Sequence, residues 1–319
     1  MAQDREKSMD DAAPQMVTQE RAGPIDKSVL LFSGGMDSLC YARLLKPDLL
    51  LYIPTGARYE DTESWWVSQL LFQHMLPDAC EFLTLGGVLD LGRYERDDLI
   101  VPNRNAHLLM LASHYGDRLY LSSVEGDRST DKDEQFYALM TVLLDHMWQK
   151  QHWTDRRCFK IEAPFKEFTK RQLVAMYLEN GGDPDGFRVS YSCYRGERKH
   201  CGTCKPCFRK RVALELNNIM LKDYWEKDFW HCRWYTDLLP MIQTGQYRGT
   251  EDADVMAFAN RIRCPSHPTA SLLPGNIRSS ANSMSTSKAR PHSKPKCSRS
   301  QPSYNAGSMP SAKPTGSKS

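Results

Sequence analysis

From residue 27 to about 218 the chain alternates short apolar runs with amphipathic segments, the pattern of a parallel sheet covered by helices. Val29, Leu30, Leu31 and Phe32 form an apolar run with no polar alternation, which predicts a strand buried on both faces. From Met36 the spacing turns helical through Leu39, Ala42, Leu44 and Leu45. Further strands are expected at Leu49–Ile53, Glu81–Leu85, Arg118–Ser122 and Cys158–Glu162. Between and after them, helices are expected over Glu60–Met75 with Trp65, Leu70 and Leu71 in the core, then over Asn105–Tyr115, Glu134–Trp148 and Thr169–Glu179. Thr169 has the side chain of a helix N-cap. Five strands joined by four crossovers predict one α/β domain with a doubly wound parallel five-stranded sheet. Such sheets bind ligands beyond the strand carboxyl ends, so the loops after the strands are the places to search.

The first of those loops carries the most chemistry. The run from Lys27 to Ser38, KSVLLFSGGMDS, takes a strand through paired glycines straight into a helix start. Gly34 and Gly35 let the backbone approach a phosphate, amides from Met36 onward meet it with the helix dipole behind them, and Ser33 and Ser38 add hydroxyl donors. Asp37 beside a phosphate calls for an accompanying cation or an orienting role, which points to a nucleotide with magnesium rather than bare phosphate. The loop lacks the Gly-Lys-Ser/Thr of a Walker loop and the third glycine of the dinucleotide fingerprint. Other loops add Arg58, a phosphate-holding group or equally an ordinary exposed arginine at a helix start, and Arg104, whose place at a helix start opposes the dipole unless an anion lies between them. Glu125, Asp127 and Asp131 follow the fourth strand as acids for an amine or a purine edge, or as ordinary loop caps.

Composition changes the picture at the ends. The formal charge of +3 hides eight Lys or Arg and no acid from Pro265 to Ser319, which leaves 34 bases against 39 acids in residues 1–264. The acidic body argues against general nucleic-acid affinity and leaves the tail as the route for any weak contact. Residues 265–319 are rich in Ser, Pro and Lys, and residues 1–24 are polar; both are expected to be disordered. The expected organisation is an ATP-binding domain over 25–190, a cysteine module over 191–220 and a helical extension over 221–264. In the extension Trp225 and Phe229, and Trp230 and Trp234, stand four apart and are expected to stack along helix faces, against the body or in a homodimer. With no export signal and no membrane-length apolar span, a cytoplasmic protein is expected.

Cys193, Cys201, Cys204 and Cys207 give C-x7-C-x2-C-x2-C, four soft ligands with short turns that direct thiolates at one point. Structural zinc fits this set best, an iron–sulfur cluster being the alternative; His200 is a poorer ligand because it directly precedes Cys201.

The SGGMDS loop resembles the PP-loop of the ATP pyrophosphatase superfamily, with its adenine nucleotide alpha hydrolase-like fold. Together with the later SCYRGERKHCGTCKPCFRKR, it is similar to the 7-cyano-7-deazaguanine synthase family over about residues 28–216. VPNRN at Val101–Asn105 resembles the family's Pro-Gly-Arg-Asn turn, and IEAPF at Ile161–Phe165 its Glu-Thr-Pro strand end. The resemblance implies a ligase that uses ATP twice. It adenylates 7-carboxy-7-deazaguanine, lets ammonia displace AMP, then adenylates the amide oxygen and dehydrates it to the nitrile. Ser33, Asp37, Ser38 and Arg104 would be catalytic, Ser33 through Ser38 with Arg58 would hold nucleotide, and Glu125, Asp127 and Asp131 would face the base.

Two segments depart from that family. Thr55–Tyr59 keeps only the glycine of Tyr-Gly-Gln-x-His, and Thr130–Gln135 keeps only the Asp of Pro-Asp-Cys-Arg-x-Glu. A ligase that stops at the amide, or that uses another amine, is therefore an open alternative. So are a tRNA-modifying adenylase of the thiolation type and a zinc module that binds nucleic acid. The last would draw on Lys205, Arg209, Lys210 and Arg211, which a solvated helix face explains equally well.

Overall fold

The computed structural model describes residues 26–263 except 99, 128, 153–154 and 229–231. The polar segments expected at both ends, and the aromatic partners Phe229 and Trp230, lie outside the described residues.

Five parallel strands form one sheet: β1 Ser28–Leu31, β2 Leu49–Tyr52, β3 Glu81–Thr84, β4 Arg118–Tyr120 and β5 Lys160–Glu162, in the order β3-β2-β1-β4-β5. The register sets Leu30 against Leu50 on one side and Tyr120 on the other. Alternation along β1 sends Leu30 and Phe32 to one face and Val29 and Leu31 to the other, and all four are buried, as the unbroken apolar run requires. Helices α1 (Met36–Leu45), α2 (Glu60–Phe72) and α5 (Lys170–Glu179) cover the first face; α3 (Arg104–Ala112) and α4 (Glu134–Met147) cover the second. Each strand and helix expected between residues 27 and 180 is present, with ends shifted by up to three residues.

Local chemistry fixes the ends that matter. Thr169 caps α5 through a full capping box, accepting from the Gln172 N–H at 3.3 Å while Gln172 Oε1 accepts from the Thr169 N–H at 2.8 Å. On α2 the expectation for Leu71 fails: Trp66, Val67 and Leu70 form the inward stripe, and Leu71, one step further round the helix, is exposed.

After α5 the chain passes through the cysteine module into α6 (Lys205–Leu216), which packs on α5. Cys193, Cys201 and Cys207 share the core of the first sheet face. Helices α7 (Arg233–Gln243) and α8 (Thr250–Arg263) then close a smaller core on α6 around Phe208, Tyr235 and Phe258. Trp225 does not lie on a helix as expected. It forms a lone bridge with His200, because Lys222–Asp228 contains no helical turn that could align it with its neighbours. Trp234 packs at a tilt against Phe208, ring centres 5.3 Å apart, and donates to the Tyr247 hydroxyl at 3.0 Å. No helix of the described residues is long and apolar enough to cross a membrane.

Candidate functional site

A cleft of about 290 Å³ opens where β1 and β4 lead away in opposite directions, beyond their carboxyl ends. Ser33, Gly35, Met36, Asp37 and Ser38 line it. No side chain caps α1, so its first-turn N–H groups are left for a ligand. Ser33 and Ser38 lie hydroxyl to hydroxyl at 3.3 Å, and Ser38 donates to the Gly35 carbonyl at 3.0 Å. Gly34 stands behind the loop rather than in it. Its φ of +67° is left-handed, and a Cβ there would meet Val67 Cγ2 at 2.6 Å, so the glycine lets α2 pack directly beneath the turn. The Gly34 carbonyl accepts from the Tyr191 N–H at 2.9 Å, which ties the loop to the entry of the cysteine module.

Cations surround this loop. Lys170, at the head of α5, is ion-paired with Asp37, whose Oδ1 finds no hydrogen-bond donor among the described residues. Asp127 is held by Lys132 Nζ at 3.2 Å and by Arg209 Nη1 at 3.0 Å. Burial would push its carboxyl up, but Lys132, Arg209 and Lys170 more than offset that and hold it below the usual carboxylate range. Arg104 reaches the cleft from the start of α3 and donates to the Tyr59 hydroxyl at 2.9 Å. Glu63 lines the same space, accepts from the Tyr52 hydroxyl at 3.4 Å, and has its carboxyl pushed by burial up to about 7, against the pull of Arg104. Arg104, Lys132, Lys170 and Arg209, with a set of helix amides, make this a site for a polyanion.

The expected residues divide. Ser33, Gly35, Met36, Asp37, Ser38, Arg104 and Asp127 meet at the cleft, whereas Arg58, Glu125 and Asp131 do not line it. Arg58 is drawn aside by Glu95, Nε to Oε1 at 2.8 Å. The loop at Glu125 is committed to its neighbours: its N–H donates to the Phe168 carbonyl at 2.9 Å and its carbonyl accepts from Arg209 Nη2 at 3.4 Å. Asp131 accepts from Ser129 through its side chain and from Asn105 Nδ2 at 3.2 Å through its carbonyl.

Glu63, Lys132 and Lys170 line the cleft without having been singled out, and Arg209, read only as part of a basic run, lines it too. Lys170 had a readable signal, since it directly follows a helix cap after the fifth strand; Glu63, inside a helix, had none. The turn before Arg104 does carry its signature. Asn103 has a φ of +59°, the left-handed region where asparagine is the usual replacement for glycine.

The four cysteines converge, with their Sγ atoms all within 4.8 Å of one another. The Cys201–Cys207 and Cys193–Cys204 pairs are each at 4.0 Å, near the edge of about 3.8 Å that a zinc–sulfur tetrahedron requires. Cys201 Sγ accepts from the N–H groups of Thr203 at 3.4 Å and Cys204 at 3.3 Å, bonds that favour the thiolate a metal needs. The donor set fits zinc. His200 is not part of it. Its Nε2 accepts from the Ser192 N–H at 3.1 Å and lies 3.1 Å from the Tyr224 hydroxyl. Burial, then the Lys210 ammonium, press its pKa far down, so it packs as a neutral ring.

The basic run of α6 is not the solvated face the sequence allowed. Lys210 is buried and donates to the Phe187 and Ser190 carbonyls, each at 2.7 Å; Arg209 is buried against Glu251; Arg211 pairs with Glu215 at 2.6 Å and Asp228 at 2.7 Å. The fold uses the charges of Arg209, Lys210 and Arg211 in internal contacts.

A family model described as queuosine biosynthesis protein QueC matches residues 90–218, a span that holds Arg104, Asp127, Lys132, Lys170, Arg209 and the four cysteines. The chain is 26% identical over 216 residues to the 7-cyano-7-deazaguanine synthase of Porphyromonas gingivalis, covering 59% of this chain and 91% of that protein. It is 28% identical over 215 residues to the enzyme of that name from Chlorobaculum tepidum, covering 59% and 91%. To that of Methanothermobacter thermautotrophicus it is 27% identical over 223 residues, covering 60% and 96%.

Proposed function

Because the chain is a divergent member of the 7-cyano-7-deazaguanine synthase family, we propose that it is an ATP-dependent carbon–nitrogen ligase acting on a 7-deazaguanine carboxylate. The observation that carries this reading is the cleft at the switch point of the sheet. There a serine-rich loop and uncapped helix amides stand against Lys132, Lys170 and Arg209.

The reaction needs a carboxylate made reactive and a pyrophosphate carried away. A carboxylate oxygen of 7-carboxy-7-deazaguanine attacks the α-phosphorus of ATP, and pyrophosphate leaves. Ammonia then attacks the acyl carbon, AMP leaves, and the nitrogen loses a proton to give the amide. In a second round the amide oxygen attacks the α-phosphorus of another ATP, and pyrophosphate leaves again. AMP departs with that oxygen as the nitrogen gives up both protons and the nitrile forms. In this reading Ser33, Ser38 and the first-turn amides of α1 hold the phosphate under attack, and Arg104 meets the charge that grows on it. Lys132, Lys170 and Arg209 receive the departing pyrophosphate. Positioning of the acid against ATP supplies most of the acceleration.

Asp37, through its unbonded Oδ1, would hold magnesium, which supplies charge neutralisation at the phosphates. The four cysteines would hold zinc in a closed, structural site. AMP and pyrophosphate released from ATP only when 7-carboxy-7-deazaguanine is present supports the reading; no AMP with that acid and ammonium rejects it.

A further inference from the structure

Helix α8 follows the cysteine module and lines no part of the cleft, yet two acids on one face of it reach the groups that do. Glu251 and Asp254 are three residues apart, and both are buried, at 4% and 9% exposure. Glu251 Oε1 accepts from Arg209 Nε at 2.6 Å, Arg209 Nη1 donates to Asp127 Oδ1 at 3.0 Å, and Asp127 Oδ2 holds Lys132 Nζ at 3.2 Å. Asp254 Oδ2 accepts from the Thr169 hydroxyl at 2.7 Å, and its Oδ1 pairs with Arg171 at 3.2 Å. Thr169 is the cap of α5, and the next residue is Lys170, the partner of Asp37.

The loop between β4 and α4 is shaped to receive this helix. Arg248, just before α8, donates to the Gly126 carbonyl, and Arg209 reaches the carbonyl of Glu125 beside it. Gly126 has a φ of +82°, and a Cβ there would lie 2.4 Å from Glu251 Oε2. The loop thus lacks a side chain at the one place where Glu251 enters.

Val255, Phe258 and Ala259 already supply the packing of α8 against α6 and α7. Buried carboxylates add little to such packing, because their desolvation commonly exceeds the Coulombic gain. We propose that Glu251 and Asp254 are positioning residues, which hold the two cationic walls of the cleft at the spacing that binds the phosphates. Glu251 acts through Arg209 on Asp127 and Lys132, and Asp254 acts through Thr169 on Lys170. This inference rests on the adenylating reading of the cleft.

The test is calorimetric titration of the zinc-loaded full chain with pyrophosphate, alongside the KM for ATP. Glu251→Gln and Asp254→Ala should each weaken pyrophosphate binding about tenfold and raise the KM for ATP in parallel, with zinc content and circular dichroism unchanged. Val255→Ala, a packing control on the same helix, should lower the thermal midpoint and leave pyrophosphate affinity alone. If Glu251→Gln does not fold, Asp254→Ala decides, since it removes the acceptor of the Thr169 hydroxyl. Wild-type affinity in the folded variants overturns the positioning role. A wild-type protein that neither binds pyrophosphate nor releases it from ATP overturns the adenylating reading instead.

Discussion

Lys170, the first residue of α5, sets its ammonium against the carboxylate of Asp37, the second residue of α1, across 133 positions of sequence. An acid in a phosphate loop repels its ligand unless a cation neutralises it, and here the far end of the fold supplies one. The pair also locks α1 to α5, which pack together on the same sheet face.

Replacing Lys170 by Met leaves Asp37 unpaired beside the expected phosphate. AMP formation should fall by about a hundredfold or more, the scale seen when a preorganised charge is removed from an active site. The double variant with Asp37→Asn should lose much less than the product of the two single losses. Steady-state AMP release from the two singles and the double checks this, and simple multiplicativity contradicts it.

The cysteine cluster predicts one zinc per chain, held mainly for stability. Because Cys193, Cys201 and Cys207 belong to the core of the sheet, metal removal should reach the cleft as well as the module. Structural zinc contributes about 10–16 kcal/mol of apparent binding free energy, comparable with or above the stability of a whole domain. A chelator should therefore abolish the cooperative thermal transition, and Cys201→Ser should not purify with a full complement of zinc.

Gly34→Ala tests the close approach of α2. The new methyl meets Val67 and the backbone leaves its preferred left-handed region, so destabilisation of about 1–3 kcal/mol is expected. Pairing it with Val67→Ala should recover part of the loss. Denaturant midpoints of the three variants measure it.

Glu63 gives a pH dependence whose sign can be worked out. Its carboxyl titrates near 7 when folded against an ordinary value of 4.5, so between those limits the native state holds the extra proton. Its contribution to stability is complete below about pH 4.5 and is lost as pH rises through 7. Glu63→Gln should thus be more stable than wild type at pH 8, by up to about 3 kcal/mol, and about equal to it at pH 4. Thermal midpoints at the two pH values decide, and an equal shift at both contradicts the buried, protonated glutamate.

Much of the fold was legible because its strands are short apolar runs between helical segments, and the turn residues that end them are local. Thr169 announced its helix, and the cysteine spacing announced its cluster. What sequence could not supply was pairing across distance. Nothing near Asp37 points to Lys170, and Arg58 reads as a phosphate ligand until Glu95, well along the chain, claims it. Nor could a basic run on α6 be told from a solvated face while the acids that neutralise Arg209 lay in a loop and in a later helix.

If this cleft converts a deazaguanine carboxylate through adenylation, the mass of the product reveals it. Zinc-loaded protein is incubated with ATP, magnesium, ammonium and 7-carboxy-7-deazaguanine, and the base is followed by mass spectrometry. The expected product is the nitrile, formed by way of the amide, with AMP and pyrophosphate released at each step. Unchanged acid and no AMP would contradict it.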